Sequence, residues 1–233
     1  VSADGIPVLL RDAHLLAVAK PAGRLVIPGR VPGERSLREE LEAAHGPLFV
    51  VHRLDRNTSG VLLLARTPAA HRALNLAFDG REVRKTYLAL VRGAPPDALR
   101  CEAAIAAGRK GRMRAAEPGD PRGKPSATAF ELVERFASGA GAGGPLALVR
   151  AHPETGRTHQ IRVHLAHAGF PLAVDPDYGD EGPLRTAAGR VLLARTPLHA
   201  ARLELAHPAG GGPVVIEAPL AEDLAGALRA LRA

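Results

Sequence analysis

The chain has 233 residues and a formal charge of +7, from 31 Lys and Arg against 24 Asp and Glu. One cysteine, Cys101, leaves no intrachain disulfide and no Cys-based zinc site, and no apolar run reaches the length of a membrane span. Arg dominates the basic set and its fork suits phosphate, so a polyanionic partner is expected. The lack of Trp and the presence of only two Tyr argue against a row of stacked aromatics.

Residues 6–10 and 15–19 read as short strands around the turn Arg11-Asp12-Ala13-His14, and Lys20-Pro21-Ala22-Gly23 breaks the second. Residues 28–35 form a Pro/Gly/Arg loop. Ser36-Leu37-Arg38-Glu39 is a capping box that starts a helix running to about Ala44, ended by Gly46-Pro47. Two apolar runs, 48–51 and 61–65, read as buried strands joined by a polar loop. Thr67-Pro68 caps a helix to about Phe78, with Ala70, Leu74 and Ala77 on one face. Residues 84–92 form a strand with Tyr87, Ala89 and Val91 on one side.

A short strand near 101–106 is followed by a flexible loop, 108–125, carrying Arg109, Lys110, Arg112 and Arg114. That loop is the candidate grip on phosphates, against the plainer reading of a solvated loop. Strands at 127–134 and 146–151 flank a Gly/Ala-rich hairpin loop at 138–145. A turn at 152–157 leads into a helix from about Thr158 to Ala168, with Ile161 and Leu165 on one face. Later strands are expected at 191–194, 200–205 and 214–217, with a final helix near 221–232. Strands with a few interspersed helices suggest one α+β domain, 1–233, around a largely antiparallel sheet.

The polar loop between the first two buried runs is His52-Arg53-Leu54-Asp55-Arg56-Asn57-Thr58-Ser59-Gly60. It carries one carboxylate, Asp55, between two guanidiniums, which favour the charged form. That suits a nucleophile or an electrostatic stabiliser better than a general acid. Taken alone, Arg-x-Asp-Arg is more often a surface ion-pair cluster.

The whole nonapeptide decides against the surface cluster. HRLDRNTSG resembles the signature HRLDxxTSG of the RluA-type family of RNA pseudouridine synthases. GRTHQIRVHL at 156–165 resembles a second motif of that family without a gap. Lys85-Thr86-Tyr87 resembles its Lys-x-Tyr segment, and Lys20-Pro21-Ala22-Gly23 and Leu198-His199-Ala200 with His207-Pro208 also have counterparts. In the run 174–179 Val174 stands where the family commonly has Gly.

The resemblance implies a pseudouridine synthase fold, a mixed and largely antiparallel sheet flanked by helices with a central active-site cleft. It marks Asp55 as catalytic nucleophile, Arg162 as the arginine that pairs with it, and Tyr87 as lining the uracil pocket and a candidate base. Arg53, Arg56, His52, Arg157 and His159 are expected to bind substrate. The implied partner is ribosomal RNA or tRNA, and a catalytic domain without a preceding S4-type domain is expected. The start at Val1, with no visible signal peptide, suggests a trimmed N-terminus. The expected protein is cytoplasmic, monomeric and not membrane-bound.

Isomerising uridine breaks the N1–C1′ bond and joins C5 to C1′, with no redox change and no phosphate energy. No cofactor and no metal are therefore expected. A carboxylate can attack C1′, as in glycoside chemistry, or uracil C6; the residues leave both open. Proton removal needs a base in reach, and an unperturbed Tyr is a poor one near neutrality. The target base must leave its stack. Two rival readings remain: a metallohydrolase using His159, His164 and His167, whose spacing fits one helical face poorly, and a non-catalytic basic RNA-binding module.

Overall fold

The computed structural model describes residues 5–29, 33–136, 144–179 and 182–233. In chain order the first elements are β1 (Val8–Arg11), β2 (Leu15–Lys20), α1 (Leu37–His45), β3 (Phe49–Val50), β4 (Ser59–Ala65), α2 (Pro68–Asp79) and β5 (Arg84–Arg92). Then come β6 (Ala98–Cys101), β7 (Ile105–Ala107), β8 (Met113–Ala115), β9 (Thr128–Phe136), β10 (Leu146–Pro153) and α3 (Gln160–His167). The last are β11 (Leu184–Arg185), β12 (Val191–Leu193), β13 (Leu198–Ala206), β14 (Pro213–Glu217) and α4 (Glu222–Arg232). The chain divides into two compact units, one of Val1–Lys85 with His199–Ala221, the other of Thr86–Leu198 with Glu222–Ala233.

In the first unit the strands run in the order β1-β2-β4-β13, with β3 also on β4 and β14 on β13. Strands β2 and β4 pair antiparallel from Leu15↔Ala65 to Lys20↔Gly60. Both are apolar at nearly every position because both faces are covered. Leu15, Ala17, Val61, Leu63 and Ala65 pack with Ala70 and Leu74 of α2. Leu16, Val18, Leu62 and Leu64 pack on the other side with Leu37 and Leu41 of α1. Helix α1 starts where expected: the Ser36 side chain accepts from the Glu39 N–H, and the Glu39 carboxylate accepts from the Ser36 N–H at 2.8 Å. Thr67 caps α2 by accepting from the Ala70 N–H at 3.1 Å, with Pro68 at its first position.

The second unit is built on the antiparallel order β5-β10-β9-β6. Ala89 and Val91 of β5 and Ala147, Val149 and Ala151 of β10 bury one face, covered by Ile161 and Leu165 of α3, with Tyr87 packed against the cluster. The face expected for Tyr87, Ala89 and Val91 is therefore the observed one. Helix α4 packs on β12 and is held by Arg195 to Asp223 at 2.7 Å and Arg232 to Glu134 at 2.7 Å.

Three expectations change. The single strand near 101–106 is two strands, because β6 bonds to β9 while β7 bonds to β8; strand propensity says nothing about which partner supplies the ladder. The basic stretch 108–125 is not a plain loop. It contains a 3-10 turn at Arg109–Gly111 and the strand β8, and Lys124 bridges back to Ile105. The helix expected from Thr158 begins at Gln160, because His159 sits in the left-handed region at φ 55°. Most of the hairpin loop 138–145, and part of the loop 28–35, lies outside the described residues.

Candidate active site

Of the three residues marked as catalytic, Asp55 stands in the first unit and Tyr87 and Arg162 in the second. Residues 52–58 of the signature lie in the loop between β3 and β4, and Ser59 and Gly60 open β4. Asp55 is half-buried between buried Leu54 and exposed Arg56, and its carbonyl accepts from the Thr58 N–H at 3.1 Å, closing a turn.

Three buried groups hold this loop from behind. Lys20, 1% exposed, donates from Nζ to the carbonyls of Pro21 and Arg56, both at 2.9 Å. The Arg56 carbonyl also accepts from the Gly23 N–H at 2.8 Å. At the other end Ser59 Oγ lies 2.9 Å from His199 Nδ1, and His199 Nε2 lies 3.3 Å from the Ala218 carbonyl. The carbonyl needs a donor, so His199 carries its proton on Nε2 and accepts the Ser59 hydroxyl on Nδ1. Gly60 follows at φ 116°, and a Cβ there would stand 2.1 Å from the Ala200 carbonyl oxygen. Only glycine lets β4 and β13 pair in parallel at Ala200↔Gly60.

His52 serves this loop rather than facing out of it. Its Nε2 accepts from the Leu63 N–H at 2.9 Å, and its ring stacks on Phe78 with centroids 5.2 Å apart. Burial, with the charge of Lys85, pushes its pKa down to about 4, which agrees with an unprotonated Nε2. Arg53 is exposed. Arg56 is exposed and held by Glu34 through two bonds of 2.6 Å. An exposed pair of this kind is weak and can yield to a phosphate.

In the second unit Tyr87 sits on β5 opposite Ala151 of β10. Arg162, 6% exposed on α3, donates from Nε and Nη2 to the two oxygens of Asp175 at 2.8 and 2.6 Å. A second carboxylate, Asp177, accepts from the same Nη2 at 2.8 Å. The guanidinium also lies over the Tyr178 ring, 4.9 Å from its centroid. Burial works against the charge of Asp177, but Arg162, Arg112 and His159 hold its carboxyl below the usual range.

The other expected residues spread from this point. His159 Nδ1 lies 2.8 Å from the Tyr178 hydroxyl, which accepts from the Met113 N–H at 2.8 Å. Arg112 reaches Asp177 at 3.1 Å and the Pro176 carbonyl at 3.1 Å. His159, Arg162 and Arg112 thus meet around one short stretch, 175–178. Arg114 instead pairs with Asp120, Arg109 is exposed, and Arg157 donates from Nε to the Pro125 carbonyl at 3.3 Å. Lys110 lies in the 3-10 turn. His164 is a core histidine: Nδ1 meets Thr128 Oγ1 at 2.8 Å and Nε2 meets the Ala103 carbonyl at 2.9 Å. Both nitrogens are engaged, so it drops out of the three-histidine metal set.

Sequence reasoning assigned no role to Lys20, Gln160, Asp175, Asp177 or His199. Gln160 is buried and ties the turn: Oε1 accepts from Thr155 Oγ1 at 2.6 Å and from the Arg157 N–H at 3.0 Å, while Nε2 donates to the Ala127 carbonyl at 2.9 Å. Lys20 was detectable in principle, as a charge closing an apolar strand. No pattern joins Arg162 to a carboxylate thirteen residues later.

A family model described as RNA pseudouridylate synthase matches residues 14–167. Over 99% of its length the chain is 38% identical to the ribosomal large subunit pseudouridine synthase D of Nitrosomonas europaea, of which it spans 67%. It is 40% identical over 97% of its length to the ribosomal large subunit pseudouridine synthase C of Escherichia coli K12, of which it spans 70%. Among solved structures it is similar to human RNA Pseudouridylate Synthase Domain Containing 1, with a TM-score of 0.76 and 27% identity, covering 100% of this chain and 97% of that one.

Proposed function

The chain belongs to the RNA pseudouridylate synthase family, and on that basis we propose that it isomerises uridine to pseudouridine in ribosomal RNA with Asp55 as its nucleophile. It is an isomerase acting on RNA. The observation that carries the assignment of Asp55 is the bracing of its loop: Lys20 grips one end, Ser59 and His199 the other. A surface ion-pair cluster needs no buried lysine and histidine behind it. Ribosomal RNA is favoured over tRNA because the relatives above carry large-subunit names.

The target uridine leaves its stack, and the Asp55 carboxylate attacks the nucleoside. The N1–C1′ bond breaks, the base turns, and C5 bonds to C1′ as the bond to Asp55 breaks and returns the free carboxylate. A proton leaves C5, and N1 ends protonated, so atoms and electrons balance without a cofactor or a metal. Tyr87 is the base for that proton, and Arg162 is the arginine that serves the Asp55 carboxylate. Arg53, Arg56, Arg157 and His159 hold the nucleotides beside the target. Arg109, Lys110, Arg112 and Arg114 meet phosphates of the flanking RNA. The enzyme acts in the cytoplasm as a monomer, and residues 1–233 form its catalytic domain. Among the described residues no helix is long and apolar enough to cross a membrane.

Tritium release from ribosomal RNA labelled at uracil C5 tests this, with tRNA as the comparison substrate. Asp55→Asn should bind RNA and release no tritium. Turnover of even a few per cent by that variant would remove Asp55 as nucleophile.

A further inference from the structure

Among the described residues Arg162 is the one buried arginine in the second unit gripped by two carboxylates. Asp175, 1% exposed, takes its Nε and Nη2 in a fork, and Asp177 takes Nη2 a second time. A guanidinium on a helix has four rotatable bonds, and a single contact leaves its plane free to turn. Two parallel bonds to one carboxylate fix that plane. The Tyr178 ring, 4.9 Å away, closes one face of it.

Asp175 is itself held. Its Oδ1 accepts from the N–H groups of Asp177 at 3.0 Å and Tyr178 at 3.3 Å, the Asx turn that shapes the stretch. The same carboxylate therefore sets the backbone of residues 175–178 and the aim of Arg162. Asp177 has a double attachment as well: one oxygen goes to Arg162 and the other to Arg112, beside the strand β8.

We propose that Asp175 is the positioning residue of Arg162 and that Asp177 completes the clamp. This rests on the role given to Arg162 above. The aim of the guanidinium, rather than its mere presence, then limits the chemical step. Misplacing a catalytic group by about 1 Å is worth roughly 10²-fold in rate.

Asp175→Asn separates the clamp from the turn. The amide oxygen can keep the bonds from Asp177 and Tyr178, while the amide NH2 opposes the Arg162 Nε–H. We expect kcat to fall about 10²-fold with RNA affinity and half-saturating RNA unchanged. Wild-type kcat together with a lowered melting temperature would reduce Asp175 to a structural residue and overturn the proposal. Should this variant not fold, Asp177→Asn decides. It lies at a partly exposed position and keeps the Asp175 fork. A smaller loss in kcat, again at unchanged RNA affinity, is expected; wild-type kcat overturns the clamp.

Asp55→Asn runs beside both. If it is inactive while the clamp variants keep full kcat, only this proposal fails. If Asp55→Asn turns over, the proposed function fails and takes this inference with it.

Discussion

In the signature loop the braces act on the frame: Lys20, Ser59 and His199 take hold of the loop at its two ends, three of their contacts being to main-chain carbonyls. In the 156–179 segment the opposite holds. The guanidinium of Arg162 is seized directly by Asp175 and Asp177, and the backbone of 175–178 is shaped by the same carboxylate. The first arrangement fixes where a side chain starts from. The second fixes where a side chain ends and what charge surrounds it. Substitutions behind the signature loop should therefore act through geometry and stability, and substitutions around Arg162 through charge and rate.

Four measurements sharpen that contrast, the largest effect first. Gly60→Ala puts a Cβ 2.1 Å from a backbone oxygen of β13 that cannot step aside. Its cost should exceed about 4 kcal/mol, beyond ordinary point substitutions. Soluble yield and thermal melting check it; a folded variant with an unchanged melting temperature would refute the close approach of these strands.

Tyr87→Phe should bind RNA but lose roughly 10²–10⁴-fold in turnover, the usual weight of general acid–base catalysis. Single-turnover kinetics on normal and 5-fluorouridine RNA would locate the stalled step. Full turnover would leave Tyr87 as a packing residue of the β5 face.

His52 gives a pH signature confined to the first unit. Its folded pKa is about 4 against an ordinary 6.5, so below pH 6.5 the unfolded chain takes up the proton first. The stability it contributes is fully present above about pH 6.5 and is lost as pH falls toward 4, by up to about 3 kcal/mol. His52→Gln keeps an acceptor for the Leu63 N–H but cannot titrate. The gap in urea-unfolding free energy between pH 7 and pH 4.5 should be smaller in this variant; an equal gap would mean the Leu63 bond survives protonation.

The smallest effect is on salt dependence. RNA affinity should fall steeply with salt, and neutralising Arg109, Lys110, Arg112 and Arg114 together should flatten the slope by up to about one unit per lost contact. Arg112 and Arg114 already pair with Asp177 and Asp120. Arg109→Ala should therefore change the slope more than Arg114→Ala. An unchanged slope in the fourfold variant would place this segment away from RNA.

Much of the fold was readable because it rests on local chemistry. The box of Ser36 and Glu39, the Thr67-Pro68 start of α2 and the two apolar runs of β2 and β4 are each stated in a few adjacent residues. The split of 101–106 into β6 and β7 was not readable, since it depends on which distant strand completes each ladder. The start of α3 was misplaced because a left-handed His159 leaves no mark in composition.

The sequence by itself determined the family, through nine- and ten-residue motifs whose order needs no coordinates, and with it the candidates Asp55, Tyr87 and Arg162. Only the tertiary structure decided what holds their surroundings. His52 was expected at the substrate and is an anchor of β4. Lys20, a charge ending an apolar strand, is buried against a carbonyl thirty-six residues away. Asp175 and Asp177 grip Arg162 from beyond the end of its helix. The reason is physical. Helix caps and strand alternation act over a few bonds, so neighbouring letters record them. A buried charge takes its partner from whatever the fold brings alongside, and that partner has no fixed distance along the chain.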